Sequence, residues 1–224
     1  MQGLIISIII GLATASPGAG EAEYLPTVWG VEEGLPQHVV GAVAQTTAGD
    51  LWCGTFNGLA RFDGVKFTVF DENSVPGPAG RGVTALYEDL QGTLWVGSDS
   101  GGVTRVVDRA PVPTPGLVNR GQGSVVSMGE DAAGDLWILW QNGSIVRWRD
   151  DLRIAPTPDI ALMEPELRLV RDGAGALWLT HRYGFSEVKP SGLVPAATGL
   201  TRDGWGLQRA SAAQRGGGFG WFRS

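Results

Sequence analysis

The chain has 224 residues, 43% of them hydrophobic, with 17 Lys and Arg against 23 Asp and Glu and a formal net charge of −6. That length supports one or two ordinary domains with a sizeable core, and the acidic balance argues against a nucleic-acid partner, which would require a basic face. A single cysteine, Cys53, excludes an intramolecular disulfide and leaves no thiolate cluster for a structural metal.

The remaining composition points to many short elements. There are 35 Gly, 13 Pro and 9 Trp; Gly and Pro punctuate turns, and so many Trp beside 3 Tyr suggest one structural slot used repeatedly.

In chain order, the first feature is an apolar run from Leu4 to Leu12, too short to span a bilayer but suited to the hydrophobic region of a signal peptide. Ala13-Thr14-Ala15 fits a small-residue cleavage site, with Gly20-Glu21-Ala22 as a second option. Met1-Gln2-Gly3 lacks the usual positive charge, so the leader is atypical. The expectation is a signal peptide over residues 1–22 and a periplasmic or secreted chain over 23–224. No second hydrophobic stretch is long enough to cross a membrane as a helix.

A Gly-x-Leu-Trp tetrad then recurs at Gly49–Trp52, Gly92–Trp95, Gly134–Trp137 and Gly175–Trp178, with Trp spacings of 43, 42 and 41 residues. Trp221, preceded by Gly218-Phe219-Gly220, reads as a decayed fifth copy. Glu88-Asp89, Glu130-Asp131 and Arg171-Asp172 precede the later tetrads at one offset, where the first copy has Gln45-Thr46. Downstream of each Trp comes a glycine-led segment ending in Arg61, Arg105 or Arg147, an Arg the fourth copy lacks.

The first unit predicts four strands. Val39–Gln45 is apolar and β-prone, Thr46–Asp50 supplies a turn, and Leu51–Thr55 is a second strand. Asn57-Gly58 marks a hairpin into Leu59–Phe62, and Asp63-Gly64 marks another into Lys66–Phe70. Four short antiparallel strands in about 42 residues describe one blade of a β-propeller. The expected fold is therefore all-β, with blades over about 39–70, 81–108, 124–149 and 166–189, a partial fifth over 204–224, and an incomplete ring. A compact four-blade ring is the less favoured alternative. The expected repeat core is Leu51, Trp52, Leu94, Trp95, Leu136, Trp137, Leu177 and Trp178: adjacent residues on a strand face opposite ways, so Leu and Trp can each pack on a different neighbouring blade. Gly54 and Gly97 follow their Trp by two residues but become Leu139 and Thr180 later, which predicts altered strand ends in the later blades.

Gly34-Leu35-Pro36, Val43-Ala44-Gln45, Gly49–Thr55 and Asn57–Gly64 together resemble the two-component regulator propeller repeat. The likeness is strong from about Val28 to Arg105, clear to Arg147 and thin after Trp178. It implies a periplasmic sensor region that precedes a transmembrane helix and a cytoplasmic output module, commonly a histidine kinase or a diguanylate cyclase. It further implies rings of seven or more blades, more than this chain contains. The expectations that follow are a truncated or frameshifted gene product, membrane attachment only through a missing downstream helix, and room for a homodimer of the parent protein. Thr27-Val28-Trp29 mirrors Thr68-Val69-Phe70 of the first unit, so residues 27–29 are expected to serve as the outer strand of the last blade and close the ring.

No catalytic constellation is visible: there is no nucleophile elbow, P-loop, zinc-protease helix, or kinase or cyclase signature. No cofactor or metal is expected, because His38 and His181 fall at unrelated places in the repeat. The Glu-Asp pairs read as turn and edge residues, the recurring Arg as a blade-to-blade contact, and Cys53 as a small buried apolar residue. The column Thr55, Ser98, Trp140 and His181 varies near a strand end, where propellers bind ligands; Trp140 and His181 are its ligand-binding candidates.

The leading expectation is an extracytoplasmic sensor that binds a small-molecule or protein signal, with its output domain absent from the chain. The alternatives are a stand-alone exported scaffold binding protein or glycan, and a propeller lyase, which would need His and carboxylates converging on one face.

Overall fold

Each repeat begins with alternating apolar residues and then reverses at a turn closed by Gly, Asp-x-x-Gly in the last three copies and Thr-x-x-Gly in the first, so the chain meanders in short antiparallel strands. The computed structural model describes residues 27–75, 77, 79–114, 123–149, 152–154, 167–181 and 184–195. Among them, sixteen strands form four sheets. The first holds β1 (Val40–Gln45), β2 (Leu51–Thr55), β3 (Gly58–Phe62) and β4 (Phe67–Phe70). The second holds β5 (Val83–Glu88), β6 (Leu94–Ser98), β7 (Val103–Val107) and β8 (Ala110–Pro113). The third is β9 (Val125–Glu130), β10 (Leu136–Trp140), β11 (Ile145–Arg149) and β12 (Leu152–Ile154), and the fourth β13 (Arg168–Arg171), β14 (Leu177–His181), β15 (Gly184–Lys189) and β16 (Gly192–Pro195). Every sheet pairs its strands in chain order, all antiparallel. The one helical element among the described residues is a single 3-10 turn, Val31–Glu33.

The sheets stack through their inner strands, β1 on β5, β5 on β9 and β9 on β13. No contact of that extent returns from β13 to β1 among the described residues. The architecture is an arc of four β-propeller blades. The expected ends at 108, 149 and 189 stop short of the outer strands β8, β12 and β16, which lack the repeat signature. Two of these carry Pro, which an edge strand tolerates because it has a side with no ladder to donate to. The expected signal peptide and the partial fifth unit over 204–224 lie outside the described residues. Trp29, in the segment expected to close the ring, packs its ring 5.1 Å from that of Phe62, and Leu35 covers Cys53 and Ala60 on the same face of the first blade.

The core lies between blades. Between consecutive described blades, the second-strand Trp of one meets the second-strand Leu of the next: Trp52 and Leu94 share one interface, and Trp137 and Leu177 another. Trp95 and Leu136 meet in the interface between them. Trp52, Trp95 and Trp137 are buried, whereas Trp178, on the last described blade, is half-buried. A buried Trp removes roughly 150–250 Å² from water, so these contacts dominate the stacking energy.

One carboxylate organises each turn and its Trp together. Asp131 Oδ1 accepts the backbone N–H groups of Ala133 (2.9 Å) and Asp135 (3.1 Å), and its Oδ2 accepts the Trp137 indole N–H at 2.8 Å. Asp89 does the same for Trp95, and Asp172 for Trp178, each indole bond again 2.8 Å. The turn closes through Gly134 with φ of 82°, the left-handed region that glycine enters without steric cost. Burial pushes the Asp172 carboxyl up, but the Trp178 indole and the backbone N–H groups of Ala176, Ala174 and Gly175 outweigh it and hold the group below its ordinary range.

Carboxylates also join the blades. Glu88 accepts the Thr47 N–H of the preceding turn at 2.8 Å, and Glu130 the Leu90 N–H at 2.7 Å. The recurring Arg behaves otherwise than expected. Arg147 stays within its own blade, 3.8 Å from Asp131 and paired with buried Asp135, because β11 sets it directly opposite Trp137 with its guanidinium 5.8 Å from that ring. An ion pair that does cross between blades joins Arg109 to Asp50 at 3.0 Å.

The glycines after Trp have a packing reason. A Cβ on Gly97 would stand 2.6 Å from Val125 Cγ1, and one on Gly54 would strike Val83. At the third interface Leu139 replaces the glycine and packs in a cluster with Leu167. The first three inner strands shift register at Gly41, Thr84 and Val126, while β13 pairs with β14 in unbroken register.

Two measurements check this account. Asp131→Ala should lower unfolding free energy in urea by about 1–3 kcal/mol by leaving a buried indole donor unpaired. In a Trp137→Phe background the same change should cost at least ~1 kcal/mol less, and equal costs would show that the indole bond contributes nothing. Gly97→Ala should destabilise by about 1–3 kcal/mol through overpacking, and adding Val125→Ala should recover part of that loss.

Candidate functional site at the heads of the inner strands

Backbone bonds order the end of the arc where the inner strands begin. The hairpin turn after each second strand ties to the head of an inner strand: Asp99 N–H donates to Gly82 O at 2.7 Å, and Gln141 N–H to Ser124 O at 2.9 Å. Adjacent inner strands are linked as well. Thr84 Oγ1 donates to Val125 O at 2.8 Å, and Leu169 N–H donates to Ser127 Oγ at 3.0 Å.

These links leave a cleft of about 300 Å³ across the second, third and fourth blades. Val125 and Leu167, buried to 0% and 1% exposure, form its floor. Thr84, Ser124 and Val126 line its sides, with Gln141 and Arg168 at the exposed rim. Arg168 Nη1 donates to Leu167 O at 2.8 Å, which anchors the guanidinium beside the floor. None of the lining residues is acidic. The cleft thus offers one cation, one amide and hydroxyl groups around an apolar base: a recognition surface, with no nucleophile and base in partnership.

A smaller hollow of about 140 Å³ lies at the opposite end, between the first two blades. Four of its lining residues are engaged with one another, Asp50 with Arg109 and Glu88 with Thr47. Among the described residues no group of three or more His, Cys, Asp or Glu is placed to hold a metal.

The sequence-predicted candidates lie elsewhere. Trp140 is 4% exposed in the core between the second and third blades, and its indole N–H donates to Gly101 O at 2.8 Å. It presents almost no surface to a ligand. His181 is half-buried on the fourth blade, with Nε2 3.4 Å from Ser186 Oγ. Their column turns inward: Thr55 Oγ1 donates to Gly58 O and Ser98 Oγ to Gly102 O, so these side chains close the hairpin turns. The exposed column is one residue later and includes Gln141, since a shift of one residue along a strand reverses the face. Arg168 was also missed. Its signal lay in the inner-strand column Ala42, Ala85, Ser127 and Arg168, where an otherwise uncharged position becomes cationic in the fourth copy. Cys53 is buried, and that burial pushes its thiol up to about 11.

No protein-family model matches the chain, and no curated protein matches it. Solved structures do. The extracellular domain of the putative one-component system BT4673 from B. thetaiotaomicron is 23% identical with a TM-score of 0.59, covering 73% of this chain and 23% of that one. Virginiamycin B lyase from Staphylococcus aureus is 18% identical with a TM-score of 0.55, covering 68% of this chain and 53% of that one. A streptogramin B lyase gives 18% and 0.56, over 71% and 54%. The chain therefore spans about half the length of the lyases and about a quarter of the extracellular domain. At these identities the likeness establishes one thing, that the four sheets are consecutive blades of a β-propeller.

Proposed function

We propose that the chain is a sensor propeller working outside the cytoplasm, the signal-receiving part of a two-component regulator whose output domain lies beyond these residues. The observation that carries the reading is the repeat itself. The segments resembling the two-component regulator propeller unit, Gly49–Thr55 and Asn57–Gly64, form the second and third strands of a blade that stacks on three more. The apolar run Leu4–Leu12 supports export, and the fold likeness to an extracellular domain of a two-component system from B. thetaiotaomicron is in keeping with it. In this reading the propeller binds and transmits, membrane attachment comes from a helix outside the chain, and phosphoryl or nucleotide chemistry belongs to the output domain.

The fold likeness to virginiamycin B lyase keeps an enzyme as the second reading. It would require His and carboxylates to converge. Of the two histidines, His38 lies exposed ahead of the first blade and His181 on the fourth, 3.4 Å from a serine hydroxyl. A turnover abolished by His181→Ala would favour that reading.

Two experiments test the sensor. Alkaline phosphatase, active only outside the cytoplasm, fused after residue 23 should be active, and deleting residues 4–12 should abolish its activity. The coding region that follows Ser224 should contain further repeats, one apolar helix and a kinase or cyclase domain. Inactive fusions would overturn the extracytoplasmic placement, and a stop directly after a ring that closes on itself would favour a stand-alone scaffold.

A further inference from the structure

We propose that the cleft at the heads of β5, β9 and β13 binds a small aliphatic carboxylate, held by Arg168 and Gln141 over the floor of Val125 and Leu167. This deepens the sensor reading, on which it rests for its role in signalling, by naming the chemistry of the signal.

The repeat shows that Arg168 is not required by the scaffold. Its register counterparts Ala42, Ala85 and Ser127, each opposite the residue two after the repeat Trp, serve the same backbone position without charge. Arg147, by contrast, is absorbed in structure by Asp131 and Asp135. Arg168 instead stands at an exposed rim, and one of its five N–H donors fixes it to Leu167 O.

The surroundings select the ligand. In a chain of net charge −6, a cleft with one arginine and no acidic lining residue attracts an anion. A guanidinium presents parallel N–H groups that match the two oxygens of a carboxylate, and Gln141 can add an amide donor. Val125, Val126 and Leu167 are aliphatic, so they suit a short hydrocarbon body. The lining contains no aromatic ring on which a sugar or a base would stack. About 300 Å³ lies at the small end of ligand pockets, which run roughly 300–1,000 Å³.

The test is a ligand-observed NMR titration of the full chain with hexanoate, hexanamide and inorganic phosphate. Hexanoate should bind with a Kd on the order of 1 mM or tighter, and hexanamide and phosphate about tenfold more weakly. Arg168→Gln should weaken hexanoate about tenfold. Gln141→Glu should do the same by placing a like charge at the rim, and because Gln141 is exposed its urea midpoint should not move. Hexanamide or phosphate binding as tightly as hexanoate would overturn the proposal. So would the absence of hexanoate binding, or hexanoate affinity unchanged in both variants. The phosphatase fusion reads export separately, so failure of binding with normal export leaves the sensor reading standing. Binding by a chain that is not exported overturns that reading and leaves this one.

Discussion

A buried indole N–H is costly to leave unpaired, and in three of the four blades one aspartate accepts that of the repeat Trp while tying the turn that leads to it. The two tasks are inseparable because the same carboxylate uses one oxygen for the turn and the other for the ring. The Asp therefore stands six residues before its Trp, the spacing that the turn imposes. A hydrogen bond to an ionised acceptor contributes roughly 1.5–3 kcal/mol, and it fixes the orientation of the largest side chain in the interface. Leu, Val and Ile then fill around a ring that can sit only one way. The first blade departs from this scheme: Thr46 stands in the Asp position, and its hydroxyl donates to Asp50 O at the base of the turn.

Stacking depends on a second set of contacts that reach across blades. Glu88 and Glu130 cap the turn of the blade before them, and Thr84 and Ser127 link inner strands. The fourth blade loses several of these devices together. Arg171 replaces the capping Glu, Glu187 stands opposite Trp178 where the others have Arg, and its inner strand runs without the register shift. The first blade shows the reverse asymmetry. Val43 is 47% exposed, although Met128 at the corresponding place in the third blade is 5% exposed. The difference is one of neighbours: among the described residues Met128 packs in the core between the second and third blades, whereas Val43 lies on a blade with none before it.

Much of this was legible in the sequence. The Gly-x-Leu-Trp period located the blades, and the first unit's strands and turns fall within a residue or two of their predicted places. The outer strands β8, β12 and β16 were not legible, because an edge strand has one partner and needs no strong alternation. The Asp–Trp bond was also missed. Its spacing is plain in the sequence, but reading Asp89, Asp131 and Asp172 as turn residues alone overlooked that the turn folds the carboxylate back over the ring. The recurring Arg was misassigned for a similar reason: side chains opposite each other on paired strands share a face, which places Arg147 on its own blade's Trp. Of the expected ligand column, Trp140 is buried and His181 half-buried. Trp140 and its column point inward to satisfy turn carbonyls and neighbouring blades, and only the register of β9 against β10 separates that column from the exposed one.

That one-residue offset explains where such a fold can vary. At the heads of the inner strands the polar backbone groups are largely satisfied by other backbone groups, as in the bonds from Asp99 to Gly82 and from Gln141 to Ser124. One place in the register there holds Ala42, Ala85, Ser127 and Arg168 in turn, so side chains of different size and charge are accommodated. At the opposite end the turns are held by side chains: replacing Asp131 disturbs a turn, a buried indole and Arg147 together. Substitution at the first end can change what the surface recognises while leaving the stacking intact. Substitution at the second changes whether the blades stack. Recognition in this fold should therefore evolve at the heads of the inner strands, where Arg168 already departs from its three counterparts.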